Sequence, residues 1–281
     1  MFRPFSLNIR GRLLEIDTPQ VMGIVNVTPD SFYAGSRTAT ADSVSRRVET
    51  LLSEGADMLD IGAYSSRPGA SEVSVEGEVE RLEAGMSVIR AMAPEIPVSV
   101  DTFRASVAAE AIRNMGADII NDISGGDLDA DMFRTVAELR VPYILMHMRG
   151  TPSTMQKLTE YQDVTAEVIK SLSEKIKELR LLGVADIIAD PGFGFAKTVE
   201  QNYALMRNLE SFVRLLDAPL LVGISRKSMI TKALGISTEE ALNGTTALNV
   251  IALERGAAIL RVHDVKAAKE AVKLYNLSTN R

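Results

Sequence analysis

The chain has 281 residues, of which 46% are hydrophobic and 24% are charged, with a formal net charge of −6 at pH 7 and no cysteine. This composition excludes a disordered chain, disulfide bonds and thiolate metal sites, and the negative charge argues against a nucleic-acid partner bound through its phosphates. The N-terminal residues lack the apolar core of a signal peptide and no apolar run approaches about 18 residues, so we expect a soluble, cytoplasmic protein with no membrane partner.

A small predicted hairpin is followed by eight repeats of a short apolar strand and a helix. Residues 5–16 alternate around Gly11, which is typical of a hairpin. Between the strands, apolar residues recur at helical spacing, and the last predicted helix covers 265–275. Thr198 with Gln201, and Ser237 with Glu240, are predicted capping boxes that each open a helix. Apolar runs predict strands over 21–27, 57–61, 96–100, 118–121, 141–146, 186–189, 220–224 and 259–262.

The connections into these strands alternate between glycine and proline. Glycine supplies the left-handed residue that ends a helix, and proline stops a helix from continuing. The even-numbered strands follow Gly55, Gly116, Gly183 and Gly256, and the odd-numbered strands follow Pro19, Pro97, Pro142 and Pro219.

Eight strand–helix units with short connections predict one α/β domain over residues 1–281. Its fold would be a (β/α)8 TIM barrel with a short N-terminal β-hairpin. A doubly wound open sheet is the alternative fold. Such a sheet normally has a glycine-rich turn after its first strand, where this chain has Asn26-Val27-Thr28-Pro29.

Every predicted strand ends in polar residues. In a parallel barrel these ends open on one face, where the active site lies. Each residue also has a structural interpretation, such as capping a helix or satisfying a loop, and His147 between two methionines fits a packing role best. The set is Asn26, Asp60, Asp101, Asn121, His147, Asp190, Ser225 with Arg226 and Lys227, and Arg261 with His263.

The strand ends divide by chemistry into two groups. Arg261 and His263 lie two residues apart on the last strand end and can both donate to an anion. With the amide oxygen of Asn26 on the neighbouring first strand, they would suit a phosphate or pyrophosphate carrying Mg²⁺.

The second group consists of Asp101, Asn121 and Asp190, which offer mainly acceptors. Buried carboxylates of this kind would recognise the amino and N–H groups along a guanidine-like edge of a flat ring, and Lys227 could close that pocket. Two loops over the mouth, 28–39 and 62–74, contain small residues and are plausible lids or contacts for a second substrate.

Five stretches closely resemble the dihydropteroate synthase family, in the same order, over about residues 20 to 275. They are Asn26-Val27-Thr28-Pro29-Asp30-Ser31-Phe32, Ser66-Arg67-Pro68-Gly69, Asp190-Pro191-Gly192-Phe193-Gly194-Phe195, Ser225-Arg226-Lys227-Ser228 and Arg261-Val262-His263-Asp264-Val265.

The resemblance implies a homodimeric enzyme of folate biosynthesis that belongs to the targets of sulfonamides. It would use Mg²⁺ to join 6-hydroxymethyl-7,8-dihydropterin pyrophosphate to 4-aminobenzoate, with pyrophosphate leaving ahead of amine attack.

The resemblance also implies a role for individual residues. Catalysis would involve Asp101, Lys227, Arg261 and His263, and Asn26 would be the metal ligand. The pterin would contact Asp101, Asn121, Met146, Asp190 and Lys227. The pyrophosphate would contact Asn26, Arg67, Arg261 and His263. The aminobenzoate would contact Phe32, Ser66, Arg67, Pro68, Phe195 and Ser225.

Three departures from the family pattern, one of them a dipeptide, involve four positions. The family usually has Thr at Ser66, Gly at Ala196, and Gly-Glu at Ala63-Tyr64. Ser66 keeps the hydroxyl, so the departures concern the shape of the aminobenzoate pocket. Two other functions stay open: a pterin-binding methyltransferase domain that serves a cobalt cofactor, and a catalytically silent paralogue that binds pterin or a partner.

Overall fold

The computed structural model describes residues 2–27, 37–64 and 73–279, with the side chains of residues 37–40 outside the description. Its strands are β1 (Phe5–Ile9), β2 (Arg12–Ile16), β3 (Gln20–Asn26), β4 (Met58–Gly62), β5 (Val98–Asp101), β6 (Ile119–Asp122), β7 (Tyr143–Met146), β8 (Ile187–Asp190), β9 (Leu221–Val222) and β10 (Ile259–Val262). Its helices are α1 (Arg37–Ser53), α2 (Val75–Met92), α3 (Ala105–Asn114), α4 (Met132–Leu139), α5 (Val164–Leu181), α6 (Val199–Arg207), α7 (Leu209–Leu215), α8 (Ser228–Leu234), α9 (Leu242–Glu254) and α10 (Val265–Ser278).

Eight parallel strands form the barrel, in the order β8-β7-β6-β5-β4-β3-β10-β9. The two ends of this order meet at a parallel bridge between Ala189 and Leu220, where the Ala189 N–H donates to the Pro219 carbonyl at 2.9 Å. The sheet therefore closes, which confirms the predicted TIM barrel and excludes the doubly wound alternative. Apolar side chains of the strands pack outward against the helices in one continuous core.

The predicted hairpin is confirmed, and it covers the N-terminal end of the barrel. β1 and β2 pair antiparallel through a two-residue turn in which Arg10 and Gly11 have φ of 52° and 76°. Positive φ at both turn residues matches the twist of a hairpin. Phe2, Leu7 and Ile16 are buried and join the inward-facing apolar residues of the barrel strands. Because the hairpin fills the bottom, the other end of the barrel is the one left for a ligand.

The connections that enter a strand through a glycine include aspartate side-chain hydrogen bonds that the sequence pattern did not predict. Gly55, Gly116, Gly183 and Gly256 have φ between 74° and 93°, as helix-ending glycines require. After three of them, an aspartate carboxylate accepts an N–H from a neighbouring strand. Asp57 accepts from Val21, Asp118 accepts from Val98, and Asp186 accepts from Asn8 of the hairpin, at 2.7–2.8 Å.

Two predicted elements need correction. The strand predicted over 220–224 contains only Leu221–Val222, because Lys227 N–H bonds back to Ile224 O at 3.1 Å and Arg226 takes a φ of 55°. The capping box of Ser237 is only half formed. Glu240 accepts the Ser237 N–H at 3.0 Å, but a 3-10 turn over Glu239–Ala241 precedes α9, so Ser237 is not its capping residue.

The helices after β8 agree with the sequence prediction only in part. Thr198 and Gln201 form a complete capping box at the start of α6. That helix ends at Arg207, however, and α7 begins separately at Leu209, while the short α8 was not predicted at all. None of the helices in the described ranges combines the length and apolar character needed to cross a membrane.

Candidate active site

Asp60 lies at the centre of the polar cluster in the barrel mouth. Its side chain is fully buried, and its carboxylate accepts both the Asn121 amide, at 3.2 and 3.3 Å, and the guanidinium of Arg261. Both Nε and Nη2 of Arg261 lie 2.6 Å from Asp60 Oδ2. The sequence placed Asp60 among the strand ends but gave it no role. The structure shows that it joins the acceptor group, defined as Asp101, Asn121 and Asp190, to the donor pair, Arg261 and His263.

Asn121 and Asp190 each keep an acceptor oxygen for a ligand. Because the Nδ2 amide of Asn121 is held by Asp60, its Oδ1 is directed elsewhere. Asp190 is 6% exposed, and its Oδ1 accepts the Gly192 N–H at 2.7 Å, which fixes the side chain and leaves Oδ2. Burial raises the pKa of Asp190, while the positive charge of Lys227 opposes the rise. The two residues, on strands either side of β7, therefore each offer an acceptor to a ligand with N–H donors.

Asp101 belongs to the acceptor group, and it also forms an ion pair with Arg261 of the donor pair. Its Oδ2 lies 3.1 Å from Arg261 Nη2, and both side chains remain about one-fifth exposed. Burial and the negative charge of Asp60 raise the pKa of Asp101 to about 7, although Arg261 opposes the rise. The carboxylate thus changes charge within the physiological range, as a group at a reacting centre can.

Lys227 approaches the acceptor group from the side of the β8 loop. Its Nζ donates to the Phe193 carbonyl at 2.7 Å and lies 4.7 Å from the centre of the Phe195 ring. Burial lowers the pKa of Lys227 to about 8, and Asp190 limits the change. The predicted position of Lys227 over the pocket is consistent with this geometry.

An apolar cluster adjoins the acceptor group. Met146 is 3% exposed and packs with Ile123, Met148, Met155 and Ala196, and Phe195 contacts the cluster from its edge. A flat ring held by Asn121 and Asp190 would have this surface beside it. Met146 therefore lies on the apolar surface next to Asp190, its register partner.

His263 is held by Ser225 and surrounded by cations. Its backbone N–H donates to Ser225 Oγ at 3.1 Å, and its Nδ1 lies 3.1 Å from the same hydroxyl. In the tautomer in which the Ser225 hydroxyl donates to Nδ1, Nε2 carries the ring hydrogen and can donate to a ligand. Burial and the charges of Arg261 and Arg47 lower the pKa of His263 to about 4, so the ring is neutral at pH 7.

Arg47 is a part of this region that the sequence did not indicate. It lies in α1, and its guanidinium donates to the carbonyls of Ile24, at 3.1 Å, and His263, at 2.7 Å. Arg226 is held by two bonds to Asp264, at 2.8 and 2.9 Å, so it supports the loop rather than facing the mouth. No short motif connects Arg47 with β10, because the contact joins residues 216 positions apart.

Asn26 is exposed at the end of β3, as expected of a ligand at the rim. The described residues contain no group of three or more His, Cys, Asp or Glu that could hold a metal ion on its own. A single amide oxygen at an open rim nevertheless fits Mg²⁺, which keeps several waters and takes oxygens from a substrate phosphate.

His147 does not join the polar cluster of the mouth. It is 5% exposed, and its Nδ1 contacts the buried amine of Lys197 at 3.1 Å. The packing interpretation of His147 is supported. Lys197 was not singled out from the sequence, because nothing in Gly-Phe-Ala-Lys-Thr indicates that a lysine before a helix turns inward.

Four implied aminobenzoate contacts, Phe32, Ser66, Arg67 and Pro68, lie outside the described residues, as do most of both loops. At the base of the second loop, Tyr64 packs edge-on against Phe103, with ring centres 5.0 Å apart. Ala196, where the family usually has Gly, is buried with a φ of 51°. A non-glycine residue in this left-handed region costs roughly 1–2 kcal/mol, which gives a physical reason for the family's glycine.

The comparisons with known proteins agree with this geometry. A profile of the family described as "Pterin binding enzyme" matches residues 22–263. Dihydropteroate synthase of Escherichia coli (strain K12) is 42% identical over 278 residues, which cover 96% of this chain and 95% of that protein.

Two solved structures are similar over the full barrel. Xanthomonas albilineans dihydropteroate synthase with 4-aminobenzoic acid has a TM-score of 0.90 and 38% identity, covering 99% of this chain and 100% of that chain. Yersinia pestis dihydropteroate synthase in a complex with a sulfonamide drug has a TM-score of 0.88 and 37% identity, with the same coverage.

Proposed function

Because the chain belongs to the pterin-binding enzyme family, and within it to the dihydropteroate synthases, we propose that it joins 6-hydroxymethyl-7,8-dihydropterin pyrophosphate to 4-aminobenzoate. The products are 7,8-dihydropteroate and pyrophosphate. The observation that carries the proposal is the position of Asp60, which binds Asn121 and Arg261 and so holds a ring-recognition group and an anion-binding group in one mouth.

The pterin ring would be recognised by the acceptor group. Its 2-amino group and ring N–H are donors, and Asp190 Oδ2 and Asn121 Oδ1 are the acceptors that remain after their structural bonds are made. Lys227 Nζ, held against the Phe193 carbonyl, would donate to an acceptor on the ring. The apolar surface around Met146 would lie beside the ring.

The donor pair would stabilise the leaving group. As the C–O bond between the pterin methylene and pyrophosphate breaks, negative charge grows on the pyrophosphate, where the Arg261 guanidinium and the His263 Nε2–H can donate. Asp101 lies 3.1 Å from Arg261, and its ionised form would stabilise positive charge on the pterin methylene. The aminobenzoate nitrogen then forms the C–N bond and releases a proton, so the reaction needs no protein nucleophile.

Mg²⁺ is proposed as the cofactor, with Asn26 holding it at the rim. When bound, the ion supplies positive charge that neutralises the departing pyrophosphate. Mg²⁺ takes oxygens from substrate phosphates and keeps several waters, so an ion that arrives with the pyrophosphate would need few ligands from the protein.

A homodimer is proposed as the active form of the protein. Its proposed location is the cytoplasm. Leu181 at the end of α5 is 79% exposed and Leu215 at the end of α7 is 63% exposed, and both line a groove of about 330 Å³. Burying such leucines against a second copy is favourable, and each would contribute about 1.5–3 kcal/mol if fully covered. Sedimentation of Leu215→Glu, compared with the unmodified protein, tests the oligomeric state. An unchanged mass in the variant would exclude this face as the dimer interface.

The test of function is pyrophosphate release from the pterin substrate with and without 4-aminobenzoate. Release that depends on 4-aminobenzoate is expected. A methyltransferase domain would bind pterin without releasing pyrophosphate, and a silent paralogue, even one that binds pterin, would show no release that depends on 4-aminobenzoate. Arg261→Ala should abolish release, whereas Arg134→Ala, which removes an exposed helix ion pair with Glu138, should leave it unchanged.

A further inference from the structure

Lys197 is a buried lysine behind the acceptor group. It lies between β8 and α6 and is 4% exposed. Its Nζ lies 2.9 Å from Phe195 O, 3.0 Å from Gly192 O and 3.1 Å from His147 Nδ1, with His147 O more distant at 3.4 Å. One side chain therefore ties the loop after β8 to the end of β7.

The three short contacts fit either charge state of this group. An ammonium would donate to all three acceptors, with His147 accepting at Nδ1, whereas a neutral amine would donate to the two carbonyls and accept from the His147 Nδ1–H. In both states the Lys197 nitrogen binds the two loop carbonyls and the His147 ring. Burial lowers the pKa of Lys197 to about 7 while Asp190 opposes the change, and burial with the Lys197 charge lowers the pKa of His147 to about 2.

The loop that Lys197 binds has little regular structure of its own. Gly192, Gly194 and Ala196 all have positive φ, between 51° and 85°. Besides a turn bond from Phe195 N–H to Gly192 O at 3.1 Å, the Gly194 N–H is held by Asn202 Oδ1 at 2.7 Å. A Cβ at Gly192 would collide with the His147 carbonyl oxygen, so the loop is pressed against β7.

The same loop presents the groups that contact Lys227. The Phe193 carbonyl accepts from Lys227 Nζ at 2.7 Å, and the Phe195 ring lies beneath that amine. The carbonyls that Lys197 binds, those of Gly192 and Phe195, belong to the residues on either side of Phe193 and Gly194. A shift of the loop would therefore move both contacts of Lys227 together.

We propose that Lys197 is a positioning residue, whose buried amino group fixes the Gly192–Phe195 loop and thereby places Lys227 and Phe195 for the pterin and the aminobenzoate. This inference rests on the proposed function. Lys197 touches no substrate in this arrangement, and its effect on the reaction passes through Lys227 and Phe195. A role in stability alone would instead lower the melting temperature without changing the affinity of the folded protein.

The first test is Lys197→Met, which keeps an unbranched side chain and removes the donors. Binding of a pterin that lacks the pyrophosphate is measured by calorimetry below the melting temperature of the variant. We expect its affinity to fall about tenfold to a hundredfold, since small misplacements of binding groups have effects of this size. The KM for 4-aminobenzoate should rise more than kcat falls. Pterin affinity within about twofold of the unmodified protein would overturn the proposal.

The second test restores the amino group. The chain has no cysteine, so Lys197→Cys introduces a single thiol, which 2-bromoethylamine converts in urea to a side chain of lysine length. After refolding, the alkylated protein should regain pterin affinity, and the unmodified protein taken through the same steps is the control. Recovery of the melting temperature without recovery of affinity would overturn the proposal. Comparison of the alkylated and non-alkylated Lys197→Cys proteins also tests the proposal if Lys197→Met does not fold.

The route through Lys227 is tested by combining two changes. If Lys197 acts by placing the partners of Lys227, Lys197→Met should cost less pterin affinity in a Lys227→Met background than alone. Equal costs in both backgrounds would overturn that route. Failure of the unmodified protein to bind pterin or to release pyrophosphate would refute the proposed function itself, and is distinguished because it involves no change at Lys197.

Discussion

Arg261 is paired with the buried carboxylate of Asp60, 2.6 Å from its Oδ2, although β10 and β4 are separated in the sheet by β3. The pair is possible because both side chains point into the barrel. Asp60 and Asp101 thus share one guanidinium, and the negative charge of Asp60 is the second-largest cause of the raised pKa of Asp101.

This sharing predicts a pH effect of Asp60→Asn. The change removes the charge that raises the pKa of Asp101 and leaves Arg261 to Asp101 alone, so the pKa of Asp101 should fall below its value of about 7. If Asp101 acts when ionised, kcat/KM for the pterin substrate should rise with pH through about 7 in the unmodified protein, and at lower pH in the variant. Profiles of kcat/KM against pH measure both.

The control for this prediction is Asp57→Asn. Asp57 is likewise paired with a cation, Lys269, and it accepts the Val21 backbone N–H, but it lies at the opposite end of the barrel. Its profile should match that of the unmodified protein. If the rise of kcat/KM with pH occurs at the same pH in Asp60→Asn as in the unmodified protein, ionisation of Asp101 is not its cause.

Much of the fold and part of the site could be predicted from the sequence. Strands buried on both sides read as continuous apolar runs, and Gly55 and Gly116 mark helix ends through local backbone geometry. Polar strand ends such as Asp190 follow from the same pattern, because the fold brings all of them to one face. These features are local or fixed by topology.

The remainder depended on contacts between distant residues. The role of Asp60 follows from a bond to Arg261, 201 positions away, and that of Arg47 from one to His263. Lys197 is buried, although lysine is an ionisable residue that composition and periodicity would assign to the surface. The early end of β9 followed from the turn at Arg226, which no propensity rule indicates.

Asp190→Asn should lower pterin affinity without unfolding the protein. Asn can still accept the Gly192 N–H through its oxygen, so the turn after β8 is kept. Its other atom becomes an N–H donor that faces the donors of the pterin, and such a buried mismatch costs about 1–3 kcal/mol. Calorimetry with a pterin and thermal unfolding on the same samples check both parts. Normal pterin binding would remove Asp190 from the site.

The two histidines should titrate separately and far below the ordinary value. The pKa of His263 is lowered to about 4 by burial and nearby arginines, and that of His147 to about 2. A lowered folded-state pKa means that the stability from each neutral ring is present above about 6.5 and is lost as the pH falls through the folded value.

Ring signals in NMR spectra recorded against pH measure these midpoints. With only two histidines in the chain, His147→Gln assigns both signals. Pyrophosphate should raise the midpoint of His263, because an anion stabilises its charged form, and should leave His147 unchanged. A midpoint of His263 that pyrophosphate does not move would argue against a contact between them.

The two loops at the mouth leave the barrel from positions that are bonded to each other. The Val27 N–H, at the start of the first loop, donates to the Gly62 carbonyl at 2.9 Å, and Asn26 is the register partner of Gly62. Tyr64, next along the second loop, packs against Phe103. A ligand that fixes the Asn26 end therefore acts on the base of both loops.

We therefore expect 4-aminobenzoate, and sulfonamides that share its shape, to bind well only with pyrophosphate or the pterin pyrophosphate present. The first ligand would bind at the loop bases and lower the free energy needed to form the second site, which is positive coupling of typically about 1–3 kcal/mol. Calorimetric titration of a sulfonamide with and without Mg²⁺-pyrophosphate measures it. Asn26→Ala should reduce the coupling, while Asn114→Ala, which removes an exposed helix bond to Glu110, should not. Equal sulfonamide affinity in the two titrations would mean that the pocket is formed before pyrophosphate binds.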